Sequence, residues 1–546
     1  MVLVMVALLA LLSASYAFMV RANLSSVMAR HQRFQAKMAA ESGLQHVITI
    51  LRRHSEDPDY TEDIDVWYDN EDAFLGGLVS GLERDDKLQE RREEDATYDA
   101  SAKPAWRFNL VAPNWEDPET VRYGITDECA RLDLNRATET QLRLLFETVI
   151  PDDQDNPVEI DVLVDSLMDW RERGSGARPN GAKDAYYQEL TPPYRCKSGE
   201  FSTVEELLLV RGFTAWVLFG EDYNRNMLLD ANEDDGEESF PPDNADNELF
   251  PGIAPYLTVW SRELNTSMDR RPRINLNMQD TEKLQELLEE DFDGGIISYV
   301  MDIRRLHGPF NSVMELLPAP PPPEEEELPA EDATELVPVQ GEEGETTSQP
   351  ADENAEGNGA DLSDLEQSEN TSEKESSFQW PVFKNLTDDE PPAGEEDLPL
   401  ILDRLTVDDT PVYAGRINVS TASPAVLSTM VACLPGEPTP EEIDAIVSAI
   451  VSARSEVSGE ERATPAWLLS SGALDETKFR VLLDGKDLVE PKPGGIITAR
   501  SSVFRVETIG YADHVGVVER LNVVFELRGP IAQVLYHRNL TGLGPA

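Results

Sequence analysis

Cysteine, histidine and positive charge are all scarce in this sequence, and each scarcity closes off a class of function. Three cysteines in 546 residues, Cys129, Cys196 and Cys433, are too few for a disulfide framework and too scattered for a zinc site, though one bridge is open to them. The six histidines, His31, His46, His54, His307, His514 and His537, are isolated and show no HxxxH spacing. Neither a nucleophile elbow nor a P-loop occurs, so an enzyme is not expected, nor a small-molecule substrate. Lys and Arg number 46 against 105 Asp and Glu, a net charge of −59. A field of that sign repels phosphate backbones, which argues against nucleic acid as a partner, and it suits divalent cations.

Charge of either sign is absent from residues 1–20, MVLVMVALLALLSASYAFMV. As a helix rising about 1.5 Å per residue this run spans roughly 30 Å, the thickness of a bilayer's hydrocarbon core. It is longer than an ordinary secretory h-region and has no basic n-region before it, so a membrane helix is expected. From Arg21 the pattern turns amphipathic: Leu24, Val27, Met28, Phe34 and Met38 fall at helical spacing, and Leu44, Val47, Ile48 and Leu51 continue the stripe after a shift of face. No proline occurs before Pro58. The pattern predicts one helix of about fifty residues, roughly 80 Å long. The plainer alternative is a signal anchor followed by an unrelated short helix.

Residues 54–100 are acidic and mixed, with a Gly-Gly break at Gly76 and Gly77, and read as a partly helical surface segment. Strands are expected at 106–111 and 121–125, and again at 503–509, 516–526 and 531–537, with a turn around Ala512 and Asp513. Between these groups lies a threefold repeat. Leu132-Asp133-Leu134-Asn135, Ile274-Asn275-Leu276-Asn277 and Ile417-Asn418-Val419-Ser420 are each followed, three residues on, by an N-cap at Thr138, Asp280 or Ser423. Leu142, Leu284 and Leu427 then sit four residues past the cap, with Leu145, Leu287 and Met430 three further, as an inward face requires. A second helix aligns at LMDWR, VMDIR and IVSAR, closing on Arg171, Arg304 and Arg454. A third element begins FSTVEELL at Phe201, FNSVMELL at Phe310 and, more weakly, ATPAWLL at Ala463. Thr203 with Glu206 and Ser312 with Glu315 have capping-box spacing, and Thr464-Pro465 reads as a cap with proline at N1.

From Pro318 to about Leu400 the composition changes. PAPPPPEEEE opens the stretch, and residues 319–400 carry 25 acidic residues against Lys374 and Lys384, too little apolar surface to offset chain entropy. A disordered spacer is expected there. The organisation expected is therefore a membrane helix and stem at 1–53, the first part of an α+β domain at 54–131, repeats one and two at 132–317, the acidic insertion at 318–400, repeat three at 401–490 and closing strands at 491–546.

One segment has the order of a calcium loop. Asp222, Asn224, Asn226, Asp230 and Glu233 supply oxygens at positions 1, 3, 5, 9 and 12, and Leu228 is placed to offer a carbonyl at 7, as in an EF-hand. Position 6 is Met227, where the turn ordinarily uses glycine, and an acidic Pro-containing loop follows in place of an exit helix. The plain alternative is an acidic turn in an acidic protein. Asp234, Asp235, Asp243 and Asp246 are weaker candidates for a second site. The repeats also suggest helix-hairpin-helix modules, which hold DNA phosphates on hairpin amides. The hairpins DDQDNP, DFDGG and PGEPTP lack the Gly-x-Gly and basic neighbours this needs, so a membrane-tethered DNA-uptake protein is only the alternative reading.

Taken in order, the uncharged helix, AESG at 40–43, DECARLDLNRAT, FSTVEELLLVRGF and the closing SVFRVETIGYA resemble the minor pseudopilin K of type II secretion systems, the general secretion pathway protein K family. The resemblance covers the stem, the first two repeats and the last fifty residues; the third repeat and the acidic insertion exceed the common pattern. It implies an α+β, pilin-like fold: a long N-terminal helix packed on a small antiparallel sheet, with an inserted all-helical domain of helix-hairpin-helix or SAM-like repeats. It implies an inner-membrane protein with most of its chain periplasmic, bound to minor pseudopilins I and J at the tip of a short pseudopilus, where it helps initiate and cap assembly. The family lacks the glutamate of ordinary pseudopilins at the fifth mature position, which is Met5 here if Met1 is the first mature residue. Calcium near the helical domain is also implied, and the spacing makes Asp222, Asn224, Asn226, Leu228, Asp230 and Glu233 its expected ligands. No basic prepilin leader ending in glycine precedes Met1, and Arg21, Arg30, Arg33 and Lys37 would by the positive-inside rule favour the opposite orientation; the resemblance is given precedence.

Overall fold

A computed structural model of the chain describes residues 2–53, 63–79, 105–152, 157–236, 240, 243, 245–320, 380–387, 391–512, 515–529 and 531–544. The chain divides into two units, residues 1–320 with 383–546, and residues 321–382. Of the second unit only 380–382 are described, so most of the predicted spacer lies outside the described residues. All elements below belong to the first unit.

The stem is one helix, α1, Val2–Arg53, of 52 residues. Its two apolar stripes have different fates. Leu24, Val27, Met28 and Phe34 are exposed, as are the large apolar side chains described before them, whereas Leu44, Val47, Ile48 and Leu51 are buried with Ala36, Ala39 and Ala40. Only the second stripe packs on the protein, and the shift of face marks where the helix meets it. The helix is long and apolar enough to cross a membrane.

The buried end of α1 lies on a seven-stranded antiparallel sheet: β1 (Gly77–Leu78), β2 (Trp106–Pro113), β3 (Val121–Arg122), β4 (Thr126–Asp127), β5 (Val503–Ala512), β6 (Val518–Arg528) and β7 (Ile531–Asn539). The order is β1-β2-β5-β6-β7, with β3 on β2 and β4 on β5, so strands from both ends of the chain meet at β5. Period-2 alternation turns Phe504, Val506, Thr508 and Gly510 of β5 towards α1 and Arg505 and Glu507 away from it. Glycine is required on both sides of this contact. A Cβ at Gly510 would lie 2.0 Å from the Ala36 carbonyl oxygen, and one at Gly43 would lie 2.6 Å from Thr508 Oγ1. With neither present, Thr508 Oγ1 donates to the Ala40 carbonyl at 3.0 Å. The AESG motif is thus the place where helix and sheet touch. Ile64, Trp67 and Phe74 join this core, which corrects the reading of the described part of 54–100 as surface.

The threefold repeat is real and longer than its sequence signature. Each opening strand pairs in parallel with a closing strand beyond its helices: Leu132–Asp133 with Leu257–Thr258, Ile274–Asn275 with Leu405–Thr406, and Ile417–Asn418 with Ile497–Thr498. Repeat two therefore closes after the acidic stretch, which falls inside it. The last residues expected to belong to the spacer are folded: Ala393 and Leu398 are buried, and Leu398 opens the helix Leu398–Arg404.

The aligned residues turn out to be hydrogen-bonding positions. Leading helices Glu139–Val149, Thr281–Leu288 and Pro424–Val431 are capped by Thr138, Asp280 and Ser423, as expected. Trailing helices Ile160–Arg171, Gly294–Leu306 and Pro440–Glu456 carry the aligned arginines back to their own opening strands. Arg171 donates to the carbonyls of Leu134 and Ala137, Arg304 to those of Leu276 and Met278, and Arg454 to those of Val419 and Ala422. Asn135 exchanges two hydrogen bonds with the backbone of Phe201, and Asn277 does the same with Phe310.

The capping boxes of the third element are a correction. At 204–209 and 313–316 the chain forms 3-10 turns; Glu206 accepts from the Ser202 amide and Glu315 from that of Asn311, each one residue before the expected cap. Thr464 caps nothing by its side chain, since the short helix Trp467–Ser470 starts later. In repeat two's hairpin the Asp293 carboxylate occupies the amides of Gly295 and Ile296, which a phosphate would need. All three cysteines are buried and free, so the open possibility of a bridge is not realised.

Candidate calcium loop and its junction with the sheet

The predicted calcium loop is a compact knot of side chains closing on their own backbone. Asp222 accepts from the amides of Asn226 and Met227, both at 3.0 Å. Asn226 Oδ1 accepts from the Leu228 amide at 2.8 Å, and the Asn224 and Asn226 amide groups both donate to Asp230 Oδ2. Glu233 reaches back from position 12 to the amides of Tyr223 at 2.9 Å and Asp230 at 3.2 Å. All six predicted ligands are thus brought into one loop. Its turn is bought with strain, because Arg225 and Met227 both adopt positive φ, 61° and 63°, where an EF-hand would place glycine at the second.

The donors are hard oxygens, the set Ca²⁺ takes. Asp222 and Glu233 are buried. Burial, aided by the repulsion of Glu233 and opposed by the hydrogen bonds from the Met227 and Asn226 amides, leaves the Asp222 carboxyl at a pKa of about 6, and burial likewise raises Glu233. Two buried carboxylates facing each other fit a cation chemically. Their oxygens are nevertheless directed at loop amides, and among the described residues no three His, Cys, Asp or Glu side chains are gathered for a metal. Of the weaker second set, Asp243 accepts from the amides of Asp235, Gly236 and Ala245, and Asp234 from that of Asn247. They shape a loop and do not converge.

What sequence reasoning missed is the anchor. Arg520 of β6, fully buried, donates to the carbonyls of Asn224 and Arg225 and pairs with Glu507 of β5. The loop is thereby fixed to the sheet face turned away from α1. The DECARLD motif makes the neighbouring junction. Asp127 accepts from the Cys129 amide at 2.6 Å and from Asn418 and Thr421 of repeat three. Burial pushes it up to about 6. Glu128 is buried too, but Arg505 at 2.7 Å and nearby Arg131 outweigh desolvation and hold it below the usual range.

Residues 106–218, from β2 through most of repeat one, match the family model described as type II secretion system (T2SS), protein K. Over that stretch the chain is similar to protein K of the type II secretion system. The match begins at β2 and ends just before the calcium-type loop, so it contains the DECARLD motif but not its partners Asn418, Thr421 and Arg505. Helix α1 is long and apolar enough to serve as a single-pass membrane anchor. The crystal structure of the GspK-GspI-GspJ complex from the type 2 secretion system of enterotoxigenic Escherichia coli aligns over 94% of this chain and 99% of that chain. Identity is 9% and the TM-score 0.33, a likeness too loose to transfer geometry. No curated protein sequence matches the chain.

Proposed function

We propose that this chain is a minor pseudopilin at the tip of the type II secretion pseudopilus, helping to initiate and cap its assembly. Its α1 is held in the inner membrane and its bulk lies in the periplasm. The observation that carries the reading is the division of α1: the exposed apolar half has no partner in the fold among the described residues, while the other half is fastened to the sheet. A subunit carrying three helical repeats beside its sheet is too bulky to accept another on top, so it ends the filament. The partners are minor pseudopilins I and J. Full-length protein in detergent, mixed with purified I and J, is expected to elute with both as one complex; separate elution of the folded protein refutes the tip assignment.

The same proposal includes calcium at Asp222, Asn224, Asn226, Leu228, Asp230 and Glu233. Asp222 sits near 6 in the fold against an ordinary 3.8, so its neutral form stabilises the fold below about pH 4 and that contribution is lost as pH rises through about 6. Calcium would replace the lost proton. Calcium is therefore expected to raise Tm by several degrees at pH 7.5 and little at pH 5, with no rise in the Asp222→Ala, Glu233→Ala double variant. A calcium shift of equal size in that variant removes the site.

A further inference from the structure

A cavity of about 130 Å³ lies between repeat one and the sheet face turned away from α1. Arg131 lines it. This residue is 92% buried, since only 8% of it is exposed, and its Nε has no acceptor; Glu128, already bonded to Arg505, acts on it only through space. A buried guanidinium left so weakens the fold unless something anionic joins it.

The neighbouring cations are committed elsewhere. Arg505 donates to Glu128 at 2.7 Å and to Asn522 at 3.0 Å, Arg538 donates to Glu205 at 2.7 Å, and Arg225 lies 3.7 Å over the Phe219 ring. Glu205, Asp222 and Glu507 also line the space, so repulsion grows with each negative charge on a ligand and a monoanion is favoured over a dianion. Much of the remaining wall is apolar, including Val204, Pro255, Leu257 and Trp260, with Thr126 and Tyr536 among its polar members. In size the cavity is close to the ~150 Å³ that admits benzene in a protein core.

We propose that this cavity binds a small monocarboxylate with a single ring or short apolar chain, its carboxylate on Arg131 and its body against Leu257 and Trp260. The site does not depend on the tip assignment; Asp222 of the calcium-type loop belongs to its lining, so binding is measured without added calcium.

The test uses full-length protein in detergent, with sodium benzoate as probe, benzamide as its neutral counterpart and sulfate as competitor, read by saturation-transfer NMR. Benzoate is expected to bind at least tenfold tighter than benzamide and to resist displacement by sulfate. Arg131→Met, which removes the unpaired charge and keeps the length, is expected to lower benzoate affinity at least tenfold and leave benzamide unchanged. No benzoate binding to the wild type, equal binding of the two probes, displacement by sulfate, or unchanged benzoate binding in folded Arg131→Met each overturns the proposal. Should Arg131→Met fail to fold, the wild-type preference for benzoate over benzamide decides alone.

Discussion

Repeat three and the two before it share one polar skeleton and differ in where they stand. Arg454 is buried and makes three hydrogen bonds at 2.6 to 2.9 Å, whereas Arg171 and Arg304 are half-buried and make two each to carbonyls of their opening segments; the first acceptor is equivalent in all three repeats, and the second lies one residue earlier for Arg304. The leading helix Pro424–Val431 buries every residue from Val426 onwards, while Thr281–Leu288 buries only Leu284 and Leu288. Repeat three touches every neighbour. Its leading helix packs on Glu139–Val149 of repeat one, Arg480 donates to the Met314 carbonyl of repeat two, and Asn418 donates to Asp127 beside the sheet. The copy with the faintest sequence signature is thus the hub. An element covered on all sides needs apolar residues all round, which erases the stripe that betrays a surface helix.

The largest expected effect breaks the hub and spares a periphery. Arg454→Ala leaves the Val419 and Ala422 carbonyls without their donors in a buried place and is expected to cost roughly 2–6 kcal/mol. Arg304→Ala, in which the Met278 carbonyl of a half-buried residue can find water, is expected to cost roughly 1–3 kcal/mol. Urea denaturation of the two variants measures both. Equal losses would mean that repeat three is no more central than repeat two.

The same difference governs how far the fold could be read beforehand. The stem, the antiparallel sheet and the starts of all three repeats follow from periodicity and caps, because each is local. The closing strands Leu257–Thr258, Leu405–Thr406 and Ile497–Thr498 are two residues long and pair with strands about eighty to 130 positions earlier, beyond any window of periodicity. A shared signal existed in Leu257-Thr258, Leu405-Thr406 and Ile497-Thr498, and its third occurrence only makes sense once the first is known to close a repeat. At the calcium-type loop, spacing brought out all six loop residues. Arg520, which anchors them, lies almost 300 positions away, and the cavity at Arg131 depends on burial that no local pattern reports.

The smallest effects concern the residue that ties the opening strand to the third element. In repeat two Asn277 makes three hydrogen bonds, two with Phe310 and one to the Val407 carbonyl, all at 2.8 Å. In repeat three Ser420 donates to the Arg462 carbonyl at 2.7 Å and accepts from Trp467 Nε1 at 3.1 Å, so a buried tryptophan takes over the hold that asparagine has elsewhere. Asn277→Ala is expected to cost about 1–3 kcal/mol, since it strands partners at Phe310 and Val407 together. Trp467→Phe removes one weak donor and part of a ring while Ser420 keeps its bond to Arg462, and is expected to cost less than Asn277→Ala if the indole N–H is only a helper. A larger loss in Trp467→Phe, measured by the same denaturation, would show that ring packing and not the serine fastens repeat three, and would make its skeleton different in kind from that of the other two.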